Sequence, residues 1–159
     1  MKIRNGFVSN SSSSSFIVAQ KESDACPTCG RSDPDIANLF SSLGNDHYDE
    51  GEFRSDNHKF IIETIKDRIR ETQNFLQSIR NKKDDEDLGY GNYTAGQRRK
   101  DLDQEIINNE NLINKIEKYT KDGWRILDIS IGYHDDYINT VFNQMVNSGS
   151  IIILEGEDR

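Results

Sequence analysis

The residues best suited to chemistry are two cysteines, Cys26 and Cys29, in the segment Cys-Pro-Thr-Cys-Gly-Arg. Two thiolates at this spacing bind one metal ion in a tight turn, and the glycine after the second cysteine relaxes the backbone there. The spacing therefore predicts half of a zinc knuckle. Because the chain has no second cysteine pair, the other ligands must be histidines or carboxylates. The predicted zinc ligands are Cys26, Cys29, His47 and His58.

Two other interpretations of the cysteine pair remain open. A redox-active dithiol has the same spacing, but in thioredoxin-like proteins it opens a long helix, whereas Gly30, Ser32 and Pro34 interrupt this segment. Those proteins also need a proline late in the chain, and Pro27 and Pro34 are the only prolines present. The third interpretation is that the two thiols are ordinary loop residues.

A second group of chemically capable residues follows the predicted strands near the end of the chain: His134, Asp135, Asp136 and Glu155. Carboxylates with a histidine can bind a divalent metal or act in acid–base catalysis, so a metal-dependent enzyme is one hypothesis. In the alternative, these acids cap a helix, favour its dipole and form an acidic tail. The sequence has neither a Walker glycine loop nor a serine nucleophile elbow, and a non-enzymatic protein is the leading expectation.

The N-terminal part contains seven consecutive Ser and Asn residues, 9–15, between the apolar pairs at 7–8 and 16–17. Serine side chains compete for backbone hydrogen bonds, which favours a loop. Such a loop is a solvated segment, a cradle for an anion, or a set of serines for covalent modification or recognition. The candidate modification or recognition residues are Ser11, Ser12, Ser13, Ser14 and Ser15.

Residues 6–16, Gly-Phe-Val-Ser-Asn-Ser-Ser-Ser-Ser-Ser-Phe, resemble the start of a set of small phage and bacterial proteins that share this segment and then diverge. The resemblance covers little more than a tenth of the chain. It implies no particular activity. An N-terminal segment that otherwise different chains share is typical of a processing, modification or recognition tag, or of a shared first strand and loop.

Composition narrows the class of protein. Of the 159 residues, 33% are hydrophobic and 30% are charged, and the net charge is −8. An acidic chain repels phosphate backbones, so nucleic-acid binding is not expected. No apolar run reaches membrane-spanning length, and none follows Lys2 and Arg4 as in a secretory signal. We therefore expect a soluble, cytoplasmic protein, in which a cysteine pair indicates metal or redox chemistry more than a disulfide.

Two long amphipathic helices are predicted in the middle of the chain. Apolar residues recur at intervals of three and four from about 57 to 82 and again from about 97, on either side of a polar, glycine-containing break. This pattern predicts an antiparallel coiled-coil arm over 56–122 with a flexible connection. The arm is either a spacer or a surface for a protein partner or self-association. The predicted stripes are Phe60, Ile61, Ile65, Ile69, Thr72, Leu76 and Ile79, then Leu102, Ile106, Ile113, Ile116 and Tyr119.

The far end of the arm carries a basic cluster, which adjacent acids at 84–87 are expected to neutralise in large part. Contact with nucleic acid is therefore not favoured there. The basic residues are Arg80, Lys82, Lys83, Arg98, Arg99 and Lys100.

Three strands are predicted from alternation and β-branched residues, at 16–19, 124–131 and 151–154. Residues 151–154 are apolar on both faces, which is typical of a central parallel strand. A helix beginning at Asp135 between the last two strands predicts a βαβ unit over 123–159. The predicted buried residues are Leu127, Ile129 and Ile131 of the strand and Ile138, Val141, Phe142, Met145 and Val146 of the helix.

The predicted fold class is α+β, with a small mixed β-sheet, a C-terminal βαβ unit, a CxxC knuckle and a long antiparallel helical hairpin. Residues 1–55 hold the serine-rich segment, the first strand, the knuckle and a short helix that begins at Asp33-Pro34 and ends at Gly44. Residues 45–56 are predicted to be a loop. The arm at 56–122 and the βαβ unit at 123–159 complete one compact domain with an arm.

Overall fold

The computed structural model describes residues 13–21, 28, 35–43, 52–88, 94–132 and 136–156. The elements are β1 (Ser13–Lys21), α1 (Ile36–Leu43), β2 (Glu52–Ser55), α2 (His58–Ser78), α3 (Ala95–Lys121), β3 (Trp124–Gly132), α4 (Asp136–Ser148) and β4 (Ile151–Glu155). They form two compact units, a sheet unit (1–56 with 123–159) and a helical unit (57–122). The predicted α+β class is confirmed.

The sheet unit contains four strands in the order β2-β3-β1-β4. β1 pairs along its whole length with β3, from Ser13 opposite Gly132 to Lys21 opposite Trp124, and it pairs with β4 on its other side. All of these pairings, and that of β2 with β3, are antiparallel. The prediction of a mixed sheet is therefore wrong for the described strands.

The predicted βαβ unit is also not formed by neighbouring strands. β3 and β4 run in the same direction, since both are antiparallel to β1, but β1 lies between them. β4 is at the end of the described sheet and not at its centre. Its apolar composition has a different reason, because Ile151 and Leu154 are buried and Ile152 and Ile153 are half-buried.

One face of the sheet packs against α1 and α4. Phe16 and Val18 of β1 lie beside Ile129 and Leu127 of β3, and the Phe16 ring centroid is 5.3 Å from that of Phe142 on α4. The predicted inward face of the 124–131 strand is confirmed. Burying a side chain of this size stabilises the fold by about 1.5–3 kcal/mol. The core consists of Phe16, Val18, Ile36, Ala37, Leu127, Ile129, Ile131, Phe142, Met145 and Ile151.

The start of α1 differs from the prediction. The helix begins at Ile36, and its N-cap is Asp35, whose carboxylate accepts hydrogen bonds from the Ala37 amide at 2.9 Å and the Asn38 side chain at 3.0 Å. The buried Gln20 side chain accepts from the Ile36 amide at 3.4 Å. Asp33 and Pro34, the predicted start, lie outside the described residues.

A second correction concerns the predicted loop 45–56. It contains strand β2, which pairs antiparallel with β3.

In the helical unit, α2 and α3 pack as the predicted antiparallel hairpin. Asn57 and Thr94 cap the two helices by accepting hydrogen bonds from backbone amides in their first turns. Two stripe residues were predicted wrongly: Phe60 is 61% exposed, and Leu112 is buried where Ile113 was expected. The buried seam consists of Ile61, Ile65, Thr72, Ile79, Ala95, Leu102, Asn109, Leu112 and Ile116. Within the described ranges no helix has the length and apolar character needed to cross a membrane.

Candidate functional site

Most of the predicted zinc ligands cannot be placed. Cys26, Cys29 and His47 lie outside the described residues, whereas His58 is the first residue of α2 and is half-buried. Among the residues that the structure describes, no group of three or more His, Cys, Asp or Glu side chains is arranged to hold a metal ion. The zinc set stays a prediction.

The predicted catalytic group is described only at two positions. His134 and Asp135 lie outside the described ranges, Asp136 opens α4, and Glu155 ends β4 opposite Ile17 of β1. Convergence of the four side chains therefore stays a prediction.

The serine run is partly a strand. Ser11 and Ser12 lie outside the described residues, but Ser13–Ser15 belong to β1 and pair with residues 130–132 of β3. The predicted loop is wrong at these three positions, because the β3 ladder satisfies the backbone groups with which serine side chains otherwise compete. Ser15 is exposed, and the modification hypothesis is untested.

The best-defined polar site lies at the tip of the hairpin, where Arg99 of α3 holds the turn after α2. Its Nη1 donates hydrogen bonds to the carbonyl oxygens of Ile79 at 2.8 Å and Lys82 at 3.2 Å, and its Nη2 forms an ion pair with Asp84. The last carbonyls of a helix have no partner within it, so this side chain caps α2 from the neighbouring helix.

Further contacts brace the same turn. Lys82 Nζ and the Glu86 carboxylate form an ion pair at 2.7 Å, and this hydrogen bond lowers the pKa of Glu86. The Ala95 and Gly96 amides donate to the carbonyl oxygens of Glu86 and Asp84 at 2.9 and 3.1 Å. The predicted neutralisation of the basic cluster is confirmed at Lys82 and Arg99. The connection, predicted to be flexible, is hydrogen-bonded in its described part.

Phe75 lies on α2 next to this braced turn. Its side chain is 40% exposed, and the Arg98 Cζ atom lies 5.8 Å from the ring centroid. This is a cation–π contact, and aromatic residues and arginine are the side chains most enriched at protein–protein hot spots. Sequence reasoning missed Phe75 because it lies outside the apolar stripe. A large aromatic residue on the solvated face of a helix was the signal that could have found it.

Charge is distributed unequally between the two units. The sheet unit has 7 Lys and Arg against 15 Asp and Glu, whereas the helical unit has 13 of each. The whole net charge of −8 therefore belongs to the sheet unit. The neutral helical unit repels neither an acidic nor a basic protein at long range.

A second charged cluster lies in the sheet unit and is structural. Arg125 of β3 forms ion pairs with Asp35, the N-cap of α1, at 3.1 Å and with Asp56, after β2, at 2.5 Å. The hydrogen bond from Arg125 lowers the pKa of Asp56, and the hydrogen bond to Asp56 raises that of Arg125. The cluster ties the start of α1 and the end of β2 to β3.

Comparison with protein-family models, curated proteins and solved structures finds no match for this chain.

Proposed function

We propose that the chain is a small, non-enzymatic accessory protein that binds another protein through the tip of its helical hairpin. The observation that carries this proposal is the pair formed by Phe75 and Arg98: a large aromatic ring, 40% exposed, held under a guanidinium. Both side chains sit beside a turn that Arg99 and Lys82 brace. A contact surface that is already ordered loses less conformational entropy on binding.

The two side chains define the chemistry of the partner. The Phe75 ring offers apolar surface, and Arg98 offers a cation that no carboxylate pairs with in the part of the chain that the structure describes. A matching partner segment presents an apolar side chain next to an aspartate or glutamate. Truncating a hot-spot residue at the centre of an interface typically costs about 2 kcal/mol or more of binding free energy.

Two further parts of the proposal rest on the sequence. We propose that Cys26 and Cys29, with His47 and His58, hold a structural zinc ion, since thiolate and imidazole are the ligands that zinc prefers. Such an ion contributes directly to folding. The resemblance at residues 6–16 supports a phage-type accessory role. Native mass spectrometry with elemental analysis tests the zinc: we expect one ion per chain, lost in Cys26→Ser, and a metal-free protein would contradict it.

The binding proposal is tested by affinity purification of tagged chain from cells that encode it. We expect at least one co-purifying protein to be reduced about ten-fold by Phe75→Ala and by Arg98→Ala. Ile107→Ala is the matched control, because Ile107 is also exposed (48%) but lies on α3. Equal recovery of every co-purifying protein with all three variants would overturn the proposal.

A further inference from the structure

Two hydrogen bonds join α2 to α3 on either side of Phe75 along the chain. Thr72, which precedes the ring by one turn, donates from Oγ1 to the Glu105 carboxylate at 3.0 Å. Ile79, which follows the ring by one turn, accepts from the Arg99 guanidinium at 2.8 Å. Resting on the proposed binding function of the hairpin tip, we propose that Thr72 and Glu105 are positioning residues of that site. Their hydrogen bond helps to hold the alignment of α2 against α3 that places a guanidinium over the Phe75 ring.

The apolar contacts of the hairpin seam define this alignment poorly by themselves. Most of the buried seam residues recur every seven positions, at 65, 72 and 79 in α2 and its C-cap and at 95, 102, 109 and 116 in α3. A heptad repeat presents a similar surface after a shift of seven residues, which is about 10.5 Å along a helix axis. Polar residues within such a seam specify its register, and Thr72 and Asn109 are the buried polar residues of this one.

A shift of α3 by one heptad would break the hydrogen bond of Thr72. In one direction Leu112, a buried apolar residue, would take the place of Glu105. In the other direction Arg98 would take that place, and a guanidinium has no acceptor. Because Thr72 is buried, either shift would leave its hydroxyl without the carboxylate and would incur the cost of an unsatisfied buried polar group.

The same shift would take apart the candidate binding site. In the first direction Glu105 would replace Arg98 at the Phe75 ring, because these two residues of α3 are one heptad apart. The face of an aromatic ring attracts a guanidinium and repels a carboxylate. In the second direction Arg98 would leave the ring for Thr72. The alignment that satisfies the Thr72 hydroxyl is therefore the one that pairs Phe75 with Arg98.

NMR spectroscopy of the full-length chain tests the positioning role in the absence of a partner. The Arg98 Cζ atom lies 5.8 Å from the centroid of the Phe75 ring, so the ring current displaces the Arg98 side-chain proton resonances. Phe75→Leu identifies these resonances, because it removes the displacement. We expect Thr72→Val and Glu105→Leu to lose most of it as well. Thr72→Ser and Glu105→Gln, which keep the hydroxyl donor and an oxygen acceptor, should retain it.

Thr64→Val is the matched control, because the Thr64 hydroxyl donates to the Phe60 carbonyl oxygen within α2, at 3.1 Å. It should leave the Arg98 resonances in place. Circular dichroism checks that every variant stays helical, and Glu105 is exposed, so its replacement leaves the buried seam intact. Arg98 resonances that stay displaced in both Thr72→Val and Glu105→Leu overturn the proposal. A loss in Thr72→Ser as large as that in Thr72→Val also overturns it.

The outcome is separate from that of the binding function, because the resonances are measured on the free chain. If the Arg98 resonances respond as expected but a cross-linker at position 75 captures no protein in cells, the positioning role stands and the binding function fails. If they do not respond although position 75 captures a protein, the positioning role fails and the binding function stands.

Discussion

Arg99 on α3 donates a hydrogen bond of 2.8 Å to the carbonyl oxygen of Ile79, the residue that ends α2. The guanidinium also reaches Lys82 and Asp84, so one side chain contacts three residues in the described part of the turn. The Phe75–Arg98 pair lies beside this turn, because Arg98 is the neighbour of Arg99 in sequence. The order of the candidate binding site therefore depends on a residue that does not itself form the exposed surface.

Replacing Arg99 should destabilise the hairpin more than replacing its neighbour. In Arg99→Ala the carbonyl oxygens of Ile79 and Lys82 both lose the guanidinium donor, and the Ile79 oxygen keeps only the Lys82 amide, at 3.2 Å. Hydrogen bonds from a charged group are worth about 1.5–3 kcal/mol. Arg98→Ala removes only an exposed cation–π contact, worth about 0.5–1 kcal/mol. Urea unfolding followed by helical circular dichroism measures both. Equal losses would show that Arg99 does not hold the turn.

Gly156 should be the least replaceable of three glycines with positive φ. Its φ is 131°, and an added Cβ would overlap the buried ring of Phe16, coming closest to Cδ1. Gly123 and Gly149 have φ of 81° and 78°, but a Cβ there meets no atom within 4 Å. We expect Gly149→Ala to cost about 1–2 kcal/mol from backbone strain alone and Gly156→Ala to cost more. Thermal unfolding of the two variants checks the order, and a reversed order would contradict the packing of Phe16.

Thr120 and Thr72 should respond oppositely to removal of the hydroxyl. The Thr120 Oγ1 atom is buried and has no hydrogen-bond partner among the residues that the structure describes. Thr120→Val therefore removes an unsatisfied polar group and should stabilise the hairpin by roughly 1 kcal/mol. Thr72 Oγ1 donates to the Glu105 carboxylate at 3.0 Å, so Thr72→Val should destabilise it by a similar amount. The midpoint of urea unfolding measures each change. The same sign for both variants would contradict these assignments.

The Arg125 cluster should make the sheet unit sensitive to acid. Its hydrogen bond to Asp56 holds the pKa of that carboxyl below the ordinary value of 3.8. Because the folded-state pKa is lowered, this stabilisation is fully present above pH 3.8 and is lost as the pH falls through the folded-state pKa. The effect is small, since the Asp56 side chain is 48% exposed. Unfolding of wild type and Asp56→Asn above and below pH 3.8 should show a weaker pH dependence in the variant. An identical dependence would contradict the linkage.

Local sequence patterns predicted the helices and strands whose apolar residues recur at a regular spacing within a short stretch of the chain. The three- and four-residue spacing predicted α2 and α3, and alternation predicted the inward face of Leu127, Ile129 and Ile131. The same patterns could not show that β1 pairs with both β3 and β4, because strand partners are chosen by contacts between residues far apart in the chain. For the same reason the local pattern predicts a loop where the short strand β2 forms.

The candidate site was predicted least well. Composition indicated a basic tip neutralised by acids, which the Arg99–Asp84 and Lys82–Glu86 pairs confirm. The role of Arg99 as a cap of α2 was not visible, because its partners there are the backbone oxygens of Ile79 and Lys82, which the sequence does not distinguish from others. Phe75 was missed since periodicity draws attention to buried residues, and this ring is exposed.

Photo-cross-linking from the hairpin tip tests the proposed binding function most directly. Benzoylphenylalanine at position 75, in the cells that encode the chain, should form a covalent adduct with another protein chain. The adduct should weaken when Arg98 is changed to Ala and should be missing when the same cross-linker is placed at position 107. Adducts of equal yield from positions 75 and 107, or none from position 75, would contradict a binding site built on Phe75 and Arg98.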